Sequence, residues 1–199
     1  TFVSSQAGKF IKKFRLKILN ITKTKYLVLV NSGSSGIYLG LRSLNIKKNE
    51  EVFLPTLNYI ANVNAVRSLS AIPHFVDSEF DSLGIDIKKL KLYLKKNFKI
   101  YKKKTINIKS GNIVSCLIVT HIFGVSCNMI ELSQLCKKYN IRLIEDASEA
   151  LGSKYNKKHL GTYGDIGILS FNGNKIITTG AGGALMTNNL KIYKNADHL

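Results

Sequence analysis

Short apolar runs alternate with amphipathic segments along the chain, and this alternation restricts its fold more than any other feature. The short runs have the length and apolar content of buried strands, whereas the longer segments repeat apolar residues with a helical period. Predicted strands cover residues 26–30, 51–54, 72–76, 114–120, 142–145, 166–171 and 183–186. Predicted helices cover residues 8–21, 35–44, 59–69, 87–97, 129–139 and 190–198. Strands separated by helices predict an α/β fold with a mainly parallel sheet in three layers, α/β/α.

The length and composition of the chain predict one sizeable core, because 45% of its 199 residues are hydrophobic. Residues 95–112 are basic and poor in apolar side chains, so we expect them to form an exposed loop or a helix extension. They are not a linker between domains, because strands and helices resume after them. The chain begins at Thr1 and stops inside a predicted helix, so we expect it to be incomplete at both ends.

A formal net charge of +18 makes a nucleic-acid partner worth weighing. Nearly all of this charge comes from lysine, and the arginines are Arg15, Arg42, Arg67 and Arg142. Proteins that read bases and phosphates favour arginine because its guanidinium binds with bidentate geometry. The dispersed lysines therefore indicate a solvated basic surface and predict no nucleic-acid partner, although their field would attract small anions.

Cysteine usage and hydropathy indicate a cytoplasmic protein with reduced thiols. Cys116, Cys127 and Cys136 lack the spacing of a metal site, so we predict neither a bound metal nor a disulfide framework. The longest apolar run, residues 113–127, is interrupted by polar residues and is too short to span a bilayer. We therefore predict no membrane partner.

One lysine has an unusual setting, in the stretch Ser170-Phe-Asn-Gly-Asn-Lys175-Ile-Ile-Thr-Thr-Gly-Ala-Gly-Gly183. This stretch is a polar, glycine-rich turn between two predicted strands. A lysine held in such a turn can be partly desolvated, which frees the lone pair of its amine for nucleophilic chemistry. Lys175 is therefore a candidate Schiff-base lysine, and the alternative is an ordinary solvated lysine.

The segment Leu143-Ile-Glu-Asp146-Ala-Ser-Glu149 is an apolar strand that ends in carboxylates. Asp146 at this strand end could keep a pyridinium nitrogen protonated, and the alternative is a helix N-cap. Glu149 could act nearby or be a capping or surface residue. A lysine for the aldehyde and an aspartate for the ring nitrogen are the two groups that pyridoxal 5′-phosphate (PLP) requires of a protein.

A third motif, Asn31-Ser-Gly-Ser-Ser-Gly36, joins a predicted buried strand to a predicted helix. The free N–H groups and the dipole of the helix N-terminus form a cradle for a phosphate. Alone this turn is weak evidence, because many small turns bind nothing. Its position before Asp146 and Lys175 strengthens the prediction of a PLP site.

Together with further segments, these motifs resemble the DegT/DnrJ/EryC1/StrS family of PLP-dependent aminotransferases, which act on nucleotide-linked keto-sugars. Glu149 and Phe171-Asn-Gly-Asn-Lys175-Ile-Ile-Thr-Thr-Gly180 are most similar to the branch that aminates carbon 4 of 4-keto-6-deoxy sugars, as in bacillosamine, legionaminic acid and perosamine synthesis. The remaining segments that carry the resemblance are Phe2-Val-Ser-Ser5, Ser32-Gly-Ser-Ser-Gly36, Glu51-Val-Phe-Leu-Pro-Thr-Leu-Asn-Tyr59, Phe75-Val-Asp77, His121-Ile-Phe-Gly124, Glu145-Asp-Ala-Ser-Glu-Ala-Leu-Gly152 and Gly164-Asp-Ile-Gly167.

The resemblance implies that residues 1–199 are the large domain of the aspartate-aminotransferase-like (type I) PLP fold. It implies an N-terminal helical segment over about residues 1–22 and a missing C-terminal small domain. It also implies PLP as cofactor, glutamate as amino donor, a nucleotide-linked keto-sugar as substrate and a homodimer. Relatives complete each site with later sequence and a second subunit, so we expect this chain to be inactive by itself.

The resemblance gives each candidate residue a role. Lys175 would form the Schiff base and later move a proton between the sugar carbon and the cofactor carbon. Asp146 would pair with the ring nitrogen, and Glu149 stands where relatives place a Gln or Glu near the phenolic oxygen. Tyr59 aligns with the aromatic residue that stacks on the cofactor ring, and a core aromatic is the alternative.

The phosphate would be bound by serines at two places. Ser34 and Ser35 fall in the turn where relatives donate backbone amides and a hydroxyl, and Ser170 matches the serine at a strand end that also reaches the phosphate. Ser34 replaces the usual threonine, which keeps the hydroxyl. Ser35 replaces an alanine, which keeps the backbone and lowers helix propensity.

Three other polar residues have open roles. His121 ends a strand and either lines the cofactor cleft or is a structural histidine. Asn58 and Asn62 stand where relatives often carry threonine, so contacts of these residues with a substrate stay open.

Two other functions also stay open. A related branch of sugar 3-dehydratases replaces the Schiff-base lysine with histidine, and Lys175 argues against it. A non-catalytic basic binding protein, or a truncated remnant of an enzyme, is the second alternative. The intact Lys175, Asp146 and Ser170 oppose a loss of chemistry.

Overall fold

The computed structural model describes residues 5–199, and its elements follow the predicted alternation. The helices are α1 (Ser5–Thr22), α2 (Gly33–Ser43), α3 (Ile60–Ser68), α4 (Ile87–Asn97), α5 (Met129–Lys138) and α6 (Leu190–His198). The strands are β1 (Tyr26–Val30), β2 (Glu51–Pro55), β3 (Ile72–Val76), β4 (Phe98–Tyr101), β5 (Lys104–Asn107), β6 (Ile113–Thr120), β7 (Arg142–Asp146), β8 (Lys154–Tyr155), β9 (Lys158–His159), β10 (Ile166–Ser170) and β11 (Gly183–Thr187). Residues 2–4 of the motif Phe2-Val-Ser-Ser5 lie outside the described part of the chain.

Several helices begin at a polar residue whose side chain accepts a backbone amide of the first turn. Ser32 caps α2, Asp86 caps α4, Asn128 caps α5 and Asn189 caps α6. These caps satisfy amides that the helix itself leaves without a partner. Tyr59 precedes α3 without a side-chain capping bond, so its ring is free for another role.

The central sheet is mainly parallel, as predicted. Its main path has the order β1-β11-β10-β7-β6-β2-β3. The pairs β10–β7, β7–β6, β6–β2 and β2–β3 are parallel, whereas β11 runs antiparallel to both β1 and β10. All strands of the path except β11 therefore end at the same edge of the sheet. In open α/β sheets, ligands bind at this carboxyl-terminal edge.

The prediction for residues 95–112 is wrong, because this segment contains a β-hairpin. Strand β4 pairs with β5, and β5 pairs with the beginning of β6. The hairpin turn places Lys102 and Lys103 at positive φ, 46° and 60°. Turns of this kind favour Asn and Gly, so two lysines gave no turn signal. Thr105 and Asn107 of β5 are buried although they are polar, which hid the strand in the hydropathy pattern.

Helices cover both faces of the sheet, which confirms the three-layer prediction. Neighbouring residues of one strand point to opposite faces. Leu117 accordingly packs in the cluster that includes residues of α1, α4 and α5, whereas Ile118 packs with residues of α2, α3 and α6. Leu143 and Ile144 divide in the same way. Burial on both faces explains why β6 and β7 are apolar runs without alternation.

The predictions for metal binding and membranes concern the whole chain, and the structure addresses residues 5–199. In that range no cluster of His, Cys, Asp and Glu side chains could hold a metal ion. No helix in the same range is long and apolar enough to cross a membrane. Cys116, Cys127 and Cys136 are buried free thiols.

Candidate active site

A cavity of about 360 Å3 opens at the carboxyl-terminal edge of the sheet. The loops that follow β1, β2, β6, β7 and β10 all contribute to its wall. Every predicted site residue except Ser35 lines it, namely Ser34, Tyr59, Asp146, Glu149, Ser170 and Lys175. The fold therefore brings together residues that are far apart in the sequence.

One wall of the cavity is the N-terminus of α2. The Oγ atom of Ser32 accepts the amide of Ser35 at 3.1 Å, and the two hydroxyl oxygens lie 2.9 Å apart. Ser35 thus helps to cap the helix, while Gly33 and Ser34 face the cavity. A helix N-terminus with small residues is suited to bind an anion.

Gly33 is where the α2 turn approaches the rest of the site most closely. A Cβ atom at this position would lie 3.0 Å from Cβ of Ser170 and 3.2 Å from Oγ of Ser148. Both serines line the cavity. The absence of a side chain at Gly33 therefore keeps the cradle between α2, β10 and the loop after β7 open.

Asp146 ends β7 and is only 4% exposed. Its Oδ1 atom accepts the hydroxyl of Ser148 at 2.6 Å and the amide of Ser148 at 3.2 Å. Its Oδ2 atom accepts the Nδ2 group of Asn62 at 3.0 Å. Both carboxylate oxygens therefore have donors, which fixes the plane of the carboxylate.

Lys175 follows β10 and reaches the carboxylate of Glu149. Its Nζ atom lies 3.0 Å from Oε1 of Glu149 and 5.9 Å from the ring centroid of Tyr59. The other oxygen of Glu149 accepts the amide of Phe123 at 3.1 Å. The hydrogen bond from Lys175 lowers the pKa of Glu149, and the Phe123 amide adds to this effect against the influence of burial. The Lys175 side chain is 15% exposed, so the surrounding protein shields most of it from solvent.

Tyr59 is 67% exposed and lies near the amine of Lys175. The alternative prediction of a core aromatic is therefore wrong. An exposed ring on the rim of a cavity is available to stack on a planar ligand.

His121 is completely buried beside the cavity and is oriented by Glu145. Its Nε2 atom lies 2.9 Å from Oε2 of Glu145, whose oxygens also accept the amides of Gly161 and Gly164 at 2.7 and 2.6 Å. An ionised carboxylate only accepts, so Nε2 carries the hydrogen. The Nδ1 atom has no partner among the described residues, and His121 lines the cavity.

Some residues of the site had no assigned role in the sequence. Ser148 stands two residues after Asp146, the spacing at which an Asp side chain often accepts a backbone amide, so local reasoning could have found this contact. Asn62 is separated from Asp146 by 84 positions, and no local pattern links the two. The amide of Phe123 is a backbone donor, which no sequence pattern specifies.

A mainly parallel sheet with a lysine, a buried aspartate and a helix N-terminus around one cavity defines a protein of the aminotransferase-like class with a candidate cofactor site. The chain belongs to the DegT/DnrJ/EryC1/StrS aminotransferase family, whose model matches residues 3–199.

Two relatives indicate the variety of this family. The chain is 36% identical to GDP-perosamine synthase of Escherichia coli O157:H7 over 198 residues. This match covers 100% of the chain and 50% of that protein. It is also 36% identical to UDP-4-amino-4,6-dideoxy-N-acetyl-beta-L-altrosamine transaminase of Campylobacter jejuni subsp. jejuni serotype O:23/36 (strain 81-176), over 93% of the chain and 45% of that protein. The chain spans about half the length of the curated relatives it matches.

Solved structures have the same fold. A DegT DnrJ EryC1 StrS aminotransferase from Brucella abortus has a TM-score of 0.84 at 22% identity, over 94% of this chain and 48% of that one. NtdA from Bacillus subtilis, solved with bound cofactor PMP, has a TM-score of 0.79 at 25% identity, over 94% of this chain and 39% of that one. These similarities confirm the predicted α/β architecture of PLP-type aminotransferases.

Proposed function

We propose that the protein is a PLP-dependent aminotransferase that moves an amino group from glutamate to the 4-keto group of a nucleotide-linked 4-keto-6-deoxy sugar. The proposal rests on one observation: Lys175, Asp146 and the N-terminus of α2 line the same cavity. Membership in an aminotransferase family supports the reaction type.

The residues around the cavity fit PLP at three points. Gly33 leaves room for a phosphate at the α2 N-terminus, where an added Cβ atom would press against Ser170 at 3.0 Å. Asp146 offers a buried carboxylate whose oxygens are already oriented. Lys175 offers a primary amine within the same cavity. When bound, PLP supplies an electron sink for the electrons released at the substrate carbon.

The side chains of this chain have separate tasks in the proposed reaction. Lys175 would hold the cofactor through its amine, and its Nζ atom would be the group in the cavity that moves a proton at the substrate carbon. Asp146 would support a proton on the ring nitrogen through its negative charge. Glu149 holds the Nζ atom of Lys175 at 3.0 Å, so the amine is oriented before a substrate enters.

Two phosphate contacts and one stacking contact complete the proposed site. The α2 turn at Ser34 and the hydroxyl of Ser170 line the same cavity and would hold the phosphate. The exposed ring of Tyr59 would be available to stack on the cofactor ring. The charge of +18 favours the approach of an anionic nucleotide sugar.

The proposed substrate and donor come from the predicted branch of the family. Relatives named as a GDP-perosamine synthase and a UDP-linked amino-sugar transaminase support a nucleotide-linked sugar. The presence of Lys175 favours amination over dehydration, since the dehydratase branch replaces this lysine with histidine.

Exposed apolar side chains at the cavity lining, or next to it in the sequence, support the proposed homodimer. Phe123 lines the cavity and is 79% exposed, while Ile60 and Ile176 adjoin the lining residues Tyr59 and Lys175 and are 61% and 58% exposed. Large apolar side chains left exposed together favour an interaction surface. In the proposed whole protein, a second subunit and later sequence cover this rim and complete the site.

Absorption spectroscopy tests the proposed half-reaction. The complete protein should bind PLP with an absorption band of the lysine–cofactor linkage, and glutamate should convert this band to that of the pyridoxamine form. Adding a 4-keto-6-deoxy sugar nucleotide should restore the first band and release an aminated sugar. A protein that binds PLP but does not respond to glutamate would contradict the proposed donor, and one that binds no PLP would contradict the function.

A further inference from the structure

Asn62 makes two polar contacts from the first turn of α3. Its Nδ2 group donates to Oδ2 of Asp146 at 3.0 Å and to Oγ1 of Thr120 at 3.2 Å. The residue is completely buried, with an exposed fraction of 0%. Both amide hydrogens of Asn62 are thus engaged, one of them on the carboxylate that faces the cavity.

The orientation of the Asn62 amide follows from the charge of its partner. A half-turn of the amide would place its oxygen against the Asp146 carboxylate, which leaves two acceptors in contact with no hydrogen between them. The orientation that donates to Asp146 leaves Oδ1 of Asn62 without a partner among the described residues.

An unpartnered buried amide oxygen opposes stability, by about 1–3 kcal/mol in general. An apolar side chain of similar size would avoid this cost at a position that is otherwise surrounded by the protein core. Packing therefore does not explain an asparagine here, whereas its contact with Asp146 does.

The two oxygens of Asp146 are held by different parts of the fold. Oδ1 is bound by Ser148, which stands two residues after Asp146 in the loop that follows β7. Oδ2 is bound by Asn62 on α3, which is anchored to β6 through Thr120. Among the described residues, only the contact from Asn62 ties the carboxylate to a separate element, so it restricts the rotation of the carboxylate in a way that the neighbouring Ser148 cannot.

We propose that Asn62 is a positioning residue, which fixes the Asp146 carboxylate against the ring nitrogen of PLP. This inference rests on the proposed function. It assigns a role to a position where relatives often carry threonine, and the role acts through Asp146 and not through contact with the sugar.

The test uses the complete PLP-loaded protein and three substitutions at this site. Asn62→Leu keeps the size and removes the donor, Asn62→Thr keeps a shorter donor, and Asn62→Asp keeps the shape but places a second carboxylate beside Asp146. Asn64→Leu is the matched control, because Asn64 lies on the exposed side of the same helix. Two quantities are measured: the dissociation constant of PLP, and the pH midpoint of the change in cofactor absorption.

We expect Asn62→Leu to weaken PLP binding about tenfold, because a carboxylate that is no longer held in place must be ordered when PLP binds, at a cost of about 0.5–1.5 kcal/mol. It should also move the pH midpoint of the absorption change, because the Asp146 carboxylate is no longer held in line with the ring-nitrogen proton. Asn62→Asp should weaken binding at least as much, since two adjacent carboxylates compete for one proton. Asn62→Thr should lie between Asn62→Leu and the wild type, and Asn64→Leu should match the wild type.

Unchanged affinity and unchanged midpoint in Asn62→Leu would overturn the proposal. Weaker binding with an unmoved midpoint would also overturn it, because that result indicates loss of packing alone. If Asn62→Leu does not fold, Asn62→Asp and Asn62→Thr decide by the same two measurements. A wild type and an Asn64→Leu control that bind no PLP would instead refute the proposed function, so the two failures are distinguishable.

Discussion

The amine of Lys175 and the carboxylate of Glu149 lie 3.0 Å apart, and the second oxygen of Glu149 is held by the amide of Phe123. The carboxylate is therefore fixed by the backbone on one side and orients the lysine on the other. Glu149 is 40% exposed, whereas Lys175 is 15% exposed, so the pair lies at the boundary between cavity and solvent. Solvent screening weakens the pair relative to one that is fully buried.

Replacing Glu149 should slow the reaction without abolishing it. Glu149→Ala removes the partner of Lys175, and we expect kcat/KM for glutamate to fall about tenfold, near the lower end expected for loss of one hydrogen bond to a charged group. Glu149→Gln keeps an acceptor for the lysine and should stay within about threefold of the wild type, which corresponds to less than 1 kcal/mol. Equal activities of Glu149→Ala and the wild type would show that Lys175 needs no orienting partner.

Lys175 should be the residue that bonds to PLP. Lys175→Ala should fold normally and lack detectable transamination, because Lys175 is the only lysine among the described residues that line the cavity. Borohydride reduction of the PLP-loaded wild type, followed by peptide mapping, should locate the label on Lys175. Lys154→Ala is the control, because Lys154 is exposed on β8. Label on a different lysine would contradict the assignment.

Substitution of Asp146 should affect both cofactor binding and chemistry. Asp146→Ala and Asp146→Asn remove the negative charge that supports the ring-nitrogen proton, so we expect weaker PLP binding and a turnover lower by orders of magnitude. Asp81→Asn, which changes an exposed carboxylate, serves as the control. Near-normal turnover in Asp146→Ala would show that Asp146 is only a capping residue.

The architecture could be predicted wherever burial leaves a periodic signal. The bounds of β1, β3, α4 and α6 agree with the sequence, because apolar runs and polar caps mark these elements. The antiparallel direction of β11 was not predicted, since strand direction depends on pairing with distant partners. The β4–β5 hairpin was missed because its turn uses Lys102 and Lys103 at positive φ and its buried residues are polar.

The candidate site could be predicted where function leaves a local motif. Asp146 ends an apolar strand, and Lys175 lies in a polar, glycine-rich turn after another strand. The fold brings both residues to one cavity. The prediction for Ser35 placed it at the phosphate, whereas its amide and hydroxyl contact Ser32. The contact of Asn62 with Asp146 joins two distant segments, so only the three-dimensional structure reveals it.

Glu51 begins β2, at the end of the strand that lies away from the cavity. Its buried carboxylate should make the fold less stable at acid pH. Glu51 is 3% exposed and accepts hydrogen bonds from His74, Ser110 and Asn107. Burial alone would raise the pKa of Glu51, but these hydrogen bonds outweigh burial and lower the pKa from 4.5 to about 2. A lowered pKa stabilises the fold above the ordinary pKa of the carboxyl. This contribution is lost as the pH falls from about 4.5 to about 2.

Urea unfolding at several pH values measures this contribution. Between pH 7 and pH 3 the wild type should lose about 2 kcal/mol of unfolding free energy through this group, by proton linkage between the two pKa values. In Glu51→Gln this part of the pH dependence should be absent. Glu50→Gln changes the neighbouring carboxylate and should keep the wild-type slope. An unchanged slope in Glu51→Gln would contradict the role of Glu51.

A methyl group at Gly33 should weaken the binding of the PLP phosphate more than the binding of the rest of the cofactor. The added Cβ in Gly33→Ala would lie 3.0 Å from Cβ of Ser170 and 3.2 Å from Oγ of Ser148. The methyl group would occupy space in the cradle and displace the two serines by a few tenths of an ångström, and a loss of about 1.4 kcal/mol of phosphate contacts corresponds to a tenfold change in binding. We therefore expect Gly33→Ala to weaken PLP binding tenfold or more.

Comparing the binding of PLP with that of pyridoxal separates the contribution of the α2 turn from that of the rest of the site. Pyridoxal lacks the phosphate, so Gly33→Ala should reduce its binding much less than that of PLP. Gly8→Ala is the matched control, because a Cβ at Gly8 in α1 meets nothing within 4 Å. This control should bind both ligands like the wild type and should be slightly more stable, since alanine favours a helix over glycine. If Gly33→Ala weakened pyridoxal and PLP equally, the α2 turn would not be the phosphate site, and the cofactor would have to bind in another orientation.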